Sequence, residues 1–218
     1  MRCHLVVLPL LLCVSGCAAL GVAANKLLPP KKISAAYKGL AGHSVGIMVW
    51  VDHGLRLDYP GIQLDIASGL QNKLREAQIK NKAKDLLGTT FPIRPESIVK
   101  YQETYPQIEG MELEEVAPKI GVQRLVYIEV DDFSTRPEPS IELFRGNITG
   151  TIKVIEVEPD GKAKVAFTDT DVHAIYPKNS PVDGLPTVGD YPIYRGTLDA
   201  FTTELEHRLV QYEEEVPD

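Results

Sequence analysis

Apolar positions recur along this chain with different periods, and each period predicts a different element. Residues 44–52, Ser-Val-Gly-Ile-Met-Val-Trp-Val-Asp, are almost continuously apolar. Such a run reads as a strand buried on both faces, hence a central one. After the turn residues Tyr59, Pro60 and Gly61, Ile62, Ile66, Leu70 and Leu74 recur at every fourth position and mark one stripe along a helix. Asp65, Gln71, Lys73, Arg75 and Glu76 fall mostly off that stripe. A strand followed by a helix opens a βα unit.

The pattern then weakens. Residues 89–93 predict a short strand, and Pro92 within it confines that strand to a sheet edge. Pro95, Glu96 and Ser97 mark a helix start, with about two turns to follow over residues 98–105. Glu112, Glu114 and Glu115 stand where a helix N-terminus favours negative charge. Leu113, Val116 and Ile120 keep helical spacing and Gly121 is placed as the stop. Residues 124–130 read as the next strand. Two long alternating runs, 142–158 and 162–176, joined at Pro159-Asp160-Gly161, read as an antiparallel hairpin, with Ile148, Ile152, Val154 and Ile155 facing partners such as Val165 and Phe167. A loop rich in Pro, Gly and Asp covers 177–192, and Leu198, Phe201, Leu205, Leu209 and Tyr212 mark the buried face of a closing helix. The fold class expected is α+β: a mixed, mainly antiparallel sheet with helices packed on it. No internal repeat of 20 to 50 residues is visible.

One further apolar run, residues 5–14, follows Arg2 and leads into Val14-Ser15-Gly16-Cys17. A positive start, a short apolar run and small residues before a cut describe a secretory signal. The run falls short of the roughly 18 apolar residues of a spanning helix and is interrupted by Pro9. The small-small-Cys ending resembles the lipobox of bacterial lipoproteins. That resemblance implies removal of residues 1–16, a diacylglyceryl group on the Cys17 thiol, and acylation of the new amine. Two or more acyl chains hold a protein stably where one holds it marginally, so the membrane is the first expected partner. Ala18 is compatible with outer-membrane sorting, because in well-studied lipoprotein systems Asp at that position retains the protein at the inner membrane. Residues 17–41, with Pro29-Pro30 and the lysines Lys26, Lys31, Lys32 and Lys38, read as the lipidated cysteine and a tether. Those lysines either lie near lipid headgroups or are simply solvated. Residues 42–218 form a single periplasmic domain.

Cysteine use and charge narrow the class further. Of three cysteines, Cys3 and Cys13 lie in the removed segment and Cys17 carries lipid, so no thiol remains for a disulfide or a nucleophile. The chain carries a net charge of −7, more negative by one without Arg2. That balance argues against nucleic acid and against a broad grip on anionic lipid.

The order of elements resembles a group of small periplasmic α/β modules. These are the periplasmic domain of the curli-secretion lipoprotein family, the N-terminal domain of the Tol-system β-propeller protein, and auxiliary lipoproteins of lipid-transporting ABC systems. Residues 44–52, 121–128 and 150–157 and the closing helix carry the likeness. The chain also resembles lipoproteins of planctomycete-type bacteria for which no activity is known. The resemblance implies a non-catalytic module that binds an envelope protein partner or self-associates, and no cofactor. Curli-type channels insert long hairpins into the membrane, but Lys153, Glu156, Glu158, Lys162 and Lys164 crowd the tip of this one, which reads as ordinary soluble sheet.

Chemistry-bearing residues are sparse. Asp169, Asp171 and His173 alternate along one predicted strand, share a face and offer oxygen and nitrogen donors to a divalent ion. Residues two apart on a strand stand nearly 7 Å from one another, however, and an exposed strand end explains them equally well. Asp52 and His53 close the first strand, where open α/β sheets bind ligands. Gly54-Leu55-Arg56 matches no phosphate-binding fingerprint, which favours a capping or turn role. Asp131-Asp132 and Glu114-Glu115 are sequence neighbours whose side chains point apart. Trp50, the one tryptophan, reads as core, and Arg136-Pro137-Glu138-Pro139 as a stiff connector. The expectation is therefore a lipid-anchored envelope binding or assembly component with no catalytic or metal-binding residues. The rivals are a metal-dependent envelope hydrolase built from Asp52, His53, Asp169, Asp171 and His173, and a ring-forming secretion component.

Overall fold

A computed structural model describes residues 31–80, 83–140, 142–186 and 189–214. The chain divides into two compact units, Met1–Ile33 with Glu213–Asp218, and Ser34–Tyr212. In the described part of the first, the Glu214 N–H donates to the Lys31 carbonyl at 2.8 Å and its carboxylate pairs with Lys31 Nζ at 3.2 Å. Cys17 and the predicted signal lie outside the described residues. Among those residues no helix is long and apolar enough to cross a membrane.

The second unit is an α+β fold. Strand β1 (Val45–Val51) leads into a short helix α1 (His53–Asp58) and the long helix α2 (Ile62–Ile79). Helices α3 (Pro95–Thr104) and α4 (Leu113–Ile120) follow, then strands β2 (Arg124–Ser134), β3 (Gly146–Val157) and β4 (Ala163–Tyr176), and finally helix α5 (Asp190–Leu209). Pro95 occupies the first turn of α3, where its missing N–H costs nothing, and Gly121 ends α4 at φ 79°, a left-handed conformation suited to glycine. The predicted strand at 89–93 reduces to one bridge, Thr90 beside Ser44. Helix α5 starts within the predicted loop and stops at Leu209. Val210 turns extended, and Tyr212 instead stacks on His207 with ring centroids 3.7 Å apart.

The sheet order is β1-β2-β3-β4, with β1 parallel to β2 and the other pairs antiparallel. The hairpin register matches the sequence pattern, setting Val154 opposite Phe167 and Ile155 opposite Val165. Helices α2 and α5 cover one face, where Ile62, Ile66, Leu70 and Leu74 of α2 and Phe201, Leu205 and Leu209 of α5 are fully buried. Each such side chain contributes about 1.5–3 kcal/mol by leaving water. Helices α3 and α4 cover part of the other face, where Ile98, Val116 and Ile120 meet Met48, Leu125 and Ile155. Residues 34–41, assigned from sequence to the tether, belong to this unit. Ala35, Tyr37 and Leu40 are buried, and the Tyr37 hydroxyl donates to Glu156 Oε1 at 2.9 Å. Those apolar side chains are too scattered to show a period.

Strand β1 is buried on both faces as expected, yet it stands at a sheet edge and not at the centre. Side chains take the place of a neighbouring strand. The outward carbonyl of Val49 accepts from Gln63 Nε2 of α2 at 2.8 Å and from Gln102 Nε2 of α3 at 2.9 Å, while Val45 N–H donates to the Thr90 carbonyl at 2.8 Å. The middle and the start of this edge are thus already occupied, which blunts it against pairing with a foreign strand. Replacing either glutamine by leucine is expected to cost about 1 kcal/mol, because the other amide still satisfies Val49. The double variant leaves a buried carbonyl orphaned and is expected to lose roughly 1–3 kcal/mol more than the two single losses combined. Urea unfolding of the four proteins measures this, and simple additivity contradicts it.

Candidate functional site

The five residues of the predicted hydrolase centre do not converge. Asp52 caps α1, its Oδ1 accepting from the Gly54 and Leu55 N–H groups at 2.6 and 3.2 Å, which is the capping role weighed from sequence. The β3–β4 register shifts between Gly150 and Ile152, so a bulge in β4 interrupts the alternation on which a shared face of Asp169, Asp171 and His173 rested. Asp169 turns toward α5, where Arg208 Nε meets its Oδ2 at 3.1 Å, and its Oδ1 accepts from the Asp171 N–H at 3.0 Å. His173 lies on the opposite face, with Nε2 2.7 Å from Asn147 Oδ1. Among the described residues no group of three or more His, Cys, Asp or Glu is placed to hold a metal ion. Asp131 occupies a second bulge, in β2, and Asp132 accepts from Asn147 Nδ2 at 3.3 Å.

Among the clefts of the described residues, two places are walled by aromatic side chains. The first lies beyond the ends of β1 and β2, where Tyr59, Phe133 and Tyr194 pack ring on ring at centroid distances of 4.7 and 5.7 Å. Its polar groups hold one another. Asp190, opening α5, accepts from Thr135 Oγ1 at 2.9 Å and from Arg136 Nε at 3.0 Å, and Tyr194 donates to Asp65 Oδ2 at 2.7 Å. Hydrogen bonding to Arg136 holds the Asp190 carboxyl below the usual range, and burial followed by the Asp65 contact raises the Tyr194 phenol. Arg136, read from sequence as part of a connector, thus fastens the start of α5 to the end of β2. The adjoining cleft, about 380 Å³ and bordered by Tyr59, Tyr191 and Asp58, sits on a clasp whose charges are already spent.

The second is a groove of about 360 Å³ on the sheet face that α3 and α4 leave open. Met48 and Trp50 of β1, Tyr127 of β2, Lys153 of β3, and Val165 and Thr168 of β4 supply its sheet side. Ile108, Glu109, Met111, Glu112, Leu113 and Glu114 form its other wall. Trp50 packs against the smaller core but is only half-buried, so the lone tryptophan is a wall of this groove as well as core. Tyr127 lies opposite Lys153, whose ammonium stands 5.8 Å from the ring centroid. Burial first, then the Glu129 and Glu109 carboxylates, push the Tyr127 phenol above its ordinary range, so it stays a donor. Sequence reading missed this place. Its signals were Trp50 and Tyr127, polar-tipped rings at positions where a plain core strand would carry aliphatic residues.

No family model matches the chain, and no curated protein matches it. Among solved structures, the PelC dodecamer from Paraburkholderia phytofirmans aligns at a TM-score of 0.44, with 10% sequence identity over 83% of this chain and 97% of that one. The lipoprotein GNA1162 from Neisseria meningitidis aligns at 0.42, with 11% identity over 63% and 85%.

Proposed function

We propose that this chain is a lipid-anchored cell-envelope protein, facing the periplasm at the outer membrane, that acts as a non-catalytic binding or assembly component. The observation that carries this reading is the exit of the apolar run through Ser15-Gly16 into Cys17. A signal peptide explains the run, and a lipid carrier explains a cysteine in that place. On this reading residues 1–16 are removed, Cys17 anchors the chain, and the residues from Ser34 onward are held at the membrane surface.

Support for binding over catalysis comes from the carboxylates. Asp52 caps a helix, Asp169 pairs with Arg208, and Asp190 pairs with Arg136. Groups so engaged serve the fold, whereas a general base must be free to reach a substrate proton. The anchor is tested on protein purified from membranes. Trypsin releases residues 17–26 as the first mature peptide, and its mass is expected to carry diacylglyceryl and acyl additions. An unmodified peptide, or one beginning elsewhere, overturns the reading.

A further inference from the structure

Unmet chemistry collects in the sheet-face groove. Tyr127 is only 9% exposed, its hydroxyl makes no hydrogen bond among the described residues, and it opens into the groove, so a ligand that displaces water from it must offer an acceptor or leave it unpaired at a cost of about 1–3 kcal/mol. On the rim, Glu109 is held by Arg56 at 3.1 Å and Glu129 lies 3.9 Å from Lys153. Glu112 and Glu114 have no cationic partner among the described residues. The groove therefore combines an apolar floor, a phenol donor open to a ligand, and two carboxylates that make no salt bridge among the described residues.

These features select among ligands. An acyl chain would satisfy the floor but leave the Tyr127 hydroxyl unpaired and press hydrocarbon against two carboxylates, each a desolvation cost. An anionic headgroup would meet the rim with like charge. An extended peptide answers all three: apolar side chains for Met48 and Met111, a backbone carbonyl for Tyr127, and a flanking Lys or Arg for Glu112 and Glu114. We propose that this groove binds an extended apolar segment, flanked by basic residues, of a partner envelope protein. The proposal rests on the binding-component reading and names the chemistry of its partner. The two methionines suit it, because flexible thioethers adapt to varied apolar side chains.

Trp50 is the only tryptophan in the chain, so intrinsic fluorescence reports on the groove directly. The full mature chain, kept in detergent, is titrated with a synthetic peptide Lys-Lys-Leu-Val-Leu-Lys-Lys and with the same peptide bearing Glu in place of Lys. A saturable shift is expected with the basic peptide, at least roughly tenfold tighter than with the acidic one and weakened by salt. Tyr127→Phe should weaken it by roughly fivefold to tenfold, the worth of one hydrogen bond. The pair Glu112→Lys and Glu114→Lys, at the start of α4, should abolish the preference; each costs the helix N-terminus about 0.3–1 kcal/mol, too little to unfold the chain, so circular dichroism is expected to stay unchanged. Equal affinity for the two peptides or no saturable shift overturns the proposal, as does tighter binding to phosphatidylglycerol vesicles. A shift that follows protein concentration alone also overturns it, in favour of a second copy as occupant. A stable partner complex that survives the glutamate substitutions sinks the groove but leaves the wider binding reading standing, so the two failures are distinguishable.

Discussion

Replacing Cys17 by serine is expected to abolish incorporation of labelled fatty acid and to move the processed protein from the membrane fraction into the soluble periplasmic extract. The physical basis is the anchor arithmetic. Stable attachment needs two or more chains, and the serine variant has no thiol to take diacylglyceryl, so any copy whose signal is cut is left without an anchor. The remainder of the chain offers little substitute: the whole sequence carries a net charge of −7, the part without Arg2 is more negative still and is repelled by anionic headgroups, and no described helix can span a bilayer. Labelling and fractionation of the two proteins side by side check this. Equal labelling, or equal retention of the processed serine variant, contradicts the anchor.

The second large effect lies in the core between α5 and the sheet. Phe201 is fully buried and stands over Gly150, where a side chain carbon would lie 3.1 Å from the Phe201 ring and 2.5 Å from the Glu129 carbonyl oxygen. Glycine at 150 is what lets the ring approach the backbone of β3, so the phenyl group fills space that no neighbour can enter after truncation. Phe201→Ala is therefore expected to cost about 3–5 kcal/mol, a large share of the roughly 5–15 kcal/mol that holds a domain folded. Phe167→Ala, at the margin of the same core where the ring is half-buried, serves as the comparison and is expected to cost clearly less. Thermal or urea unfolding of both variants measures the difference. Equal losses would mean that α5 does not close the core as described.

Where side-chain period followed from burial, the fold was legible. The α2 stripe, the α4 stop at Gly121 and the hairpin at Asp160 all appear in the structure near their predicted places, because each rests on local rules. The position of β1 was not legible. A strand buried on two faces looks the same at the centre of a sheet as at an edge sealed by Gln63 and Gln102, and a helical glutamine gives no sign that it caps a strand in another element. The shared face of Asp169, Asp171 and His173 failed for a related reason: one bulge residue reverses every side chain beyond it, and nothing in Thr-Asp-Thr-Asp-Val-His announces it. Helix α1 went unread because its six residues are too few to show a period. The groove escaped notice since Tyr127, Trp50 and Glu112 come from separate elements, each unremarkable alone, and only the tertiary arrangement brings them to one groove.

A binding or assembly component should be found bound. The most direct measurement is to extract the native protein from membranes with mild detergent, crosslink it briefly, and determine the mass and composition of what contains it. The account predicts a stoichiometric complex with a second envelope polypeptide, lost when the glutamates of the groove are reversed. A lone monomer at every crosslinker concentration would contradict it.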